Sequence, residues 1–335
     1  MVQSVTEKNK KKILWISILQ GFTMLLVVMG HSDLAEKQTI PAVGLFYQFF
    51  KSFRMPLFIL ISGYLFYLTR LSKDKEYSFV VIDKLKRLGI PFAFFTILGF
   101  GAKILASAYI KHPLENMNWT FFTGVLLGLN DSPLGALWFV YVTFFLMLLY
   151  PLYKIIINNR VLILVFLCIG VVLNFFPIPI EMLKIHKVSK LFVFFFVGIV
   201  IGKYKIDKYA IPNLKRLLLL IVSYFVLFVL YYNRFFPIPQ LVISLWGVVM
   251  SFHIAKYAEK NIPTLFQSFR YNTYQIYLIS VFPQMAIEML YRQLGSQFFL
   301  VFYIANIFIG LYFPIIIVRL VERYNLKYLK PCIGL

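Results

Sequence analysis

The stretch LQGFTMLLVVMGHSD, Leu19 to Asp33, is an apolar run that ends on an imidazole and a carboxylate. Imidazole changes charge near neutral pH, so His31 can take up and release a proton where most side chains cannot. Its helical neighbours sharpen the case. At 100° per residue, Ser17, Gln20, Met24, Val27 and His31 share one face, with Gln20 and His31 about 16 Å apart. That face either packs on another helix through polar contacts or lines a site. A second run, FYQFFKSFRMPLFILISGYLF, carries Lys51 and Arg54 three residues apart and therefore on one face. Lys51 can snorkel to the surface. Arg54 lies deeper, and a charge at that depth marks a functional cavity. Pro56 follows and can kink the helix. Further on, DKLKRLGIPF clusters Lys84, Lys86 and Arg87, a fit for a phosphate-bearing ligand as well as for topology. Trp138 opens an apolar run where an aromatic belt is also expected. Ser280, in YQIYLISVFP, falls mid-run, where it can bond its own backbone.

The elements that must position these groups are membrane helices. Of 335 residues, 61% are hydrophobic, and the mean hydropathy is +0.80. An ordinary soluble domain is about 45–50% apolar. The apolar runs are long enough for helices rather than barrel strands, which predicts an all-α integral membrane protein. The net charge of +21 fits the Lys/Arg bias of cytoplasmic loops. No nucleic-acid motif accompanies it, so no nucleic-acid partner is expected. The two cysteines, Cys168 and Cys332, have neither disulfide nor metal-ligand spacing, and no metal site is expected. The first apolar run is too long for a signal-peptide core and lacks a cleavage site, so it reads as an uncleaved helix.

Runs of about 17–25 apolar residues predict ten spans. They fall near 13–32, 45–68, 88–110, 134–153, 160–176, 189–203, 213–232, 238–256, 272–291 and 297–319. Residues 119–130 are apolar but too short to cross and read as a re-entrant or interfacial loop. With the N-terminus inside, the inner segments hold 24 of the 34 Lys and Arg and the outer ones 7; Lys51, Arg54 and Lys103 lie within spans. Both termini are therefore expected in the cytoplasm. A single membrane domain covers 1–335: a basic N-terminal segment (1–12), a bundle (13–319) and a cytoplasmic tail (320–335). His31 belongs to the outer end.

The strings WISILQGFTMLLVVMGHSD, FRMPLFILISGYLF, KLKRLGIPF, LWFVYVTF and YQIYLIS occur in this order across most of the chain. Together they resemble the acyltransferase 3 family of bacterial membrane acyltransferases, in particular its fucose 4-O-acetylase-like branch. The resemblance implies transfer of an acyl group, usually acetyl, from cytosolic acyl-CoA to a hydroxyl of an extracytoplasmic glycan or lipid-linked sugar. It implies no resident cofactor and a home in the lipid bilayer of the bacterial cytoplasmic membrane. His31 matches the family's proposed general base, a role that imidazole fits. Lys84 and Arg87 match a basic pair that grips CoA phosphates, and Gln20 stands where the family has a basic residue facing the donor. Arg54 is the candidate for holding the oxyanion. Lys51, Trp138 and Ser280 are candidate acceptor contacts. The chain departs from the family in Ser17, where an acidic residue is usual, in Gln20, and in Arg54 and Ser280, where the branch has His. Two other readings fit the same features: a transporter or flippase of glycan or acyl material, and a non-catalytic family member. Consumption of acyl-CoA separates them from the enzyme.

Overall fold

The computed structural model describes residues 13–32, 41–105, 119–130, 132, 134–294 and 298–335. The basic segment 1–12 and the end of the third predicted span lie outside the described residues. Every described element is helical. In chain order these are α1 (Leu14–His31), α2 (Pro41–Thr69), α3 (Tyr77–Lys84), α4 (Ile90–Leu105), α5 (Trp119–Leu126), α6 (Trp138–Leu148), α7 (Tyr150–Ile156) and α8 (Arg160–Phe175). They continue with α9 (Ile185–Tyr204), α10 (Leu214–Tyr232), α11 (Gln240–Asn261), α12 (Thr273–Ile279), α13 (Val281–Leu294), α14 (Phe299–Arg323) and α15 (Leu329–Cys332). Each apolar run read from the sequence coincides with one helix or a helix pair. Among the described residues, seven helices are long and apolar enough to cross a membrane, and α6 with α7, bent by 51°, makes an eighth if taken as one. The short run at 119–130 contains α5, whose eight residues span only about 12 Å.

Proline explains two local features. Pro56 lacks the N–H that would reach the carbonyl of Ser52, and Ser244 Oγ of α11 donates to that oxygen instead at 2.7 Å. Left unpaired, a buried carbonyl costs about 1–3 kcal/mol, so this bond fixes α11 against the bend of α2. Pro91 likewise cannot bond to the carbonyl of Arg87, which accepts from Tyr274 Oη at 3.0 Å. Just before it, Leu85–Gly89 forms a π-helical turn joining α3 to α4. The third span is therefore one helical rod from Tyr77 to Ile104. The basic cluster at Lys84–Arg87 sits inside that rod rather than in a loop preceding it, because the π turn absorbs the proline without ending the helix.

Helix α1 is enclosed by α2, α11, α12 and α14, and buries most of its length. The most extensive pairing is between α2 and α9, where glycines let the backbones touch. A Cβ added at Gly63 would collide with the carbonyl of Phe195, and one at Gly198 with that of Leu60. Small residues at such crossings are how membrane helices pack without a hydrophobic driving force. Because Leu60 meets Gly198 and Tyr67 meets Gly202, the two helices run in the same direction. The C-terminal tail is docked: Ile333 is buried, and Gln275 Nε2 donates to the carbonyl of Gly334 at 3.1 Å.

Candidate active site

His31 is the last residue of α1 and is half-buried. The preceding residue explains its setting. A Cβ at Gly30 would overlap the guanidinium of Arg54, so only glycine admits that side chain against the end of α1. Arg54 is 8% exposed, a buried cation. Its Nη1 points to the carbonyl of Leu26 at 3.5 Å, a long contact. The ring of Tyr47 lies 5.3 Å from the guanidinium carbon, and the phenol of Tyr303 also faces it. Leu26 and Gly30 are one turn apart, and His31 projects about 100° further round the helix. The imidazole is therefore at the same end of α1 as the cation, on a different side of the helix.

On the other flank of α1, Gln284 Nε2 donates to the carbonyl of Val28 at 3.0 Å and to Ser32 Oγ at 3.2 Å. Asn306 Nδ2 reaches the carbonyl of Gln284 at 3.4 Å. Both side chains are buried, and among the described residues Gln284 Oε1 and Asn306 Oδ1 have no hydrogen-bond donor. The sequence reading missed both. Their signal was present as carboxamides within the apolar stretches VFPQMAIEML and YIANIFIG, where a polar group is costly.

Two cavities with charged or polar residues in their lining lie toward opposite ends of α2. The first, about 320 Å³, is lined among others by Lys51, Arg54, Trp138, Lys187, Lys190 and Gln240. The second, about 520 Å³, includes Ser17, Gln20, Lys73, Arg270, Tyr274 and Gln275. Arg54 and Thr69 of α2 mark the two ends, about 22 Å apart along the helix. Ser17 and Gln20 share their face of α1 with His31, and the intervening Met24 and Val27 are buried. Arg270, also missed, is buried, and its Nη1 donates to the carbonyls of Pro263 at 2.7 Å and Leu265 at 2.8 Å. It ties down the turn that walls the second cavity. Its signal was a cation directly before the polar string YNTYQ.

The structure thus brings Lys51, Arg54 and Trp138 into one cavity, leaves His31 one residue beyond the Gly30 that Arg54 abuts, and puts Gln20 in the other. Lys84 and Arg87 line neither. They share the carboxylate of Asp83 with Arg70, at 3.5, 3.8 and 2.6 Å respectively. Arg87 is linked to the second cavity through Tyr274. Ser280 is buried at the break between α12 and α13, and lines neither cavity. Among the described residues no group of three or more His, Cys, Asp or Glu converges as a metal site.

The long apolar helices among the described residues make this a multi-pass membrane protein. The family model described as an acyltransferase domain, acyltransferase 3, matches residues 13–319, and the chain belongs to that family. No curated protein and no solved structure matches it.

Proposed function

We propose that this membrane acyltransferase moves an acyl group, acetyl in the simplest case, from cytosolic acyl-CoA to a sugar hydroxyl outside the cytoplasmic membrane of a bacterium. The reading is supported by the face of α1 that carries Ser17 and Gln20 into one cavity and His31 at its other end, where Arg54 packs against Gly30. The donor enters from the cavity of Gln20, and its thioester extends along that face. His31 takes the acceptor's hydroxyl proton as the oxygen attacks the thioester carbon. The carbonyl oxygen gains the negative charge, which Arg54 holds. Collapse breaks the C–S bond, leaving the ester and a CoA thiolate that is protonated on release. Lys51 and Trp138 contact the acceptor, and Ser280 supports the wall behind it. In proteoliposomes, acceptor-dependent release of the CoA thiol tests the reading. Passage of a glycan without thiol release would identify a transporter instead.

The proposed topology has ten crossings, with α6–α7 and α12–α13 as broken spans, α8 as a short one, and both termini in the cytoplasm. The charge bias supports it. In a chain with Cys168 and Cys332 replaced by Ser, an impermeant thiol reagent applied to intact cells is expected to label Arg234→Cys and spare Lys75→Cys. Both sites are exposed, so the reverse pattern would invert the acyl route.

Lys84 and Arg87 are assigned to the CoA phosphates. Three cations around one carboxylate leave positive charge unspent, and Arg87 is largely exposed. Replacing both by Gln is expected to raise the KM for acyl-CoA at least about tenfold, since a charge-assisted contact contributes about 1.5–3 kcal/mol. An unchanged KM at normal expression would leave the cluster a topological signal alone.

A further inference from the structure

Four cations line the outer cavity: Lys51 and Arg54 from α2, Lys187 and Lys190 from the start of α9. No acidic residue is among its described lining. Lys51, Arg54 and Lys190 have no described carboxylate within 4.0 Å. Of the ten Lys and Arg that the topology leaves outside the cytoplasmic segments, these are four. Charges scattered on outer loops would not converge in this way. The helix register makes them converge. Lys51 precedes the contact glycine Gly63 by twelve residues and Lys187 precedes Gly198 by eleven, on helices that run parallel, so both cation pairs stand at one height.

Other groups in the cavity suit an anion as well. Helix α11 begins there with Gln240, and its N-cap, Pro239, makes no side-chain cap bond. The positive end of the α11 dipole therefore lies at the cavity. Asn174 Nδ2 donates to the carbonyl of Lys190 at 2.7 Å, which anchors the first turns of α9. Lys187 Nζ lies 4.9 Å from the ring centre of Trp138. Cations lining one cavity repel one another, and a multivalent anion relieves that repulsion far better than a single carboxylate does.

We propose that the outer cavity binds the phosphate groups of the acceptor, so that the acylated sugar is presented to His31 as a diphosphate-bearing molecule. The inference rests on the acyltransferase reading of this end and specifies its acceptor class. Arg54 is common to the cavity and to the end of α1 that carries His31, so an anion seated on the lysines sets the attached sugar at that end.

Binding by the full chain in nanodiscs tests it with three probes: a prenyl-diphosphate-linked hexosamine, inorganic pyrophosphate, and a neutral methyl hexosaminide. The prenyl-diphosphate sugar is expected to bind in a salt-dependent manner, and the neutral glycoside at least about tenfold more weakly. Lys51→Gln with Lys190→Gln is expected to weaken the diphosphate probe by at least about tenfold while acyl-CoA still binds. The matching pair of Arg substitutions is expected to retain it and decides the question if the Gln variant fails to fold. Pyrophosphate competing as well as the lipid-linked sugar would assign recognition to the anion alone; weaker competition would assign part of it to the lipid-linked sugar. Equal affinity for the neutral glycoside, or wild-type affinity in the Gln variant, overturns the proposal. Diphosphate binding without any acyl transfer would keep the anion site and sink the acyltransferase reading.

Discussion

Purified protein carrying His31→Gln is expected to transfer acyl groups about 10²–10⁴-fold more slowly than wild type, the usual contribution of a positioned proton acceptor. Gln keeps hydrogen-bonding groups at the end of α1 but cannot take the hydroxyl proton, so His31→Ala and His31→Gln are expected to fail alike. Folding is not expected to fail with them. A polar contact at this depth contributes about 1–2 kcal/mol to helix packing, and α1 is held along its whole length by α2, α11, α12 and α14. The measurement is acceptor-dependent thiol release, with acyl-CoA binding as the control for an intact donor site. A His31→Gln variant with wild-type turnover would remove the base assignment, because neither cavity has a described histidine in its lining that could replace it.

The apolar runs made the helices legible, since a membrane-length run admits little else. What the sequence could not convey was how the ends of distant helices meet. Lys187 and Lys190 read as ordinary loop-edge charges until the Gly63–Gly198 crossing set α9 level with α2. Gln284 and Asn306 were visible as polar residues in apolar runs, but their meeting at Val28 and Ser32 depends on how α13 and α14 pack. Arg54 was legible as a misplaced charge. Its partner was not, because glycine carries no pattern, and Gly30 matters only for the space it leaves. The third apolar run begins near residue 88, whereas the helix runs from Tyr77 and passes through the π turn.

That space gives the second large effect. Arg54→Ala is expected to lower turnover by about 10²–10³-fold, the range for loss of one oxyanion donor. Arg54→Lys keeps the charge but loses the planar fork, so a smaller loss is expected. Gly30→Ala is the sharper test. Alanine is a better helix former than glycine by about 0.5–1 kcal/mol, so helix propensity favours the substitution. Yet its methyl group would occupy the position of the Arg54 guanidinium and force it away from α1. Gly30→Ala is therefore expected to lose most of the activity lost in Arg54→Ala while retaining a folded, acyl-CoA-binding protein. The double variant is expected to be little worse than either single one, because both remove the same group from the same place. Wild-type turnover in Gly30→Ala would show that the guanidinium need not lie against α1. Losses that multiply in the double variant would show that Gly30 acts by some route other than Arg54.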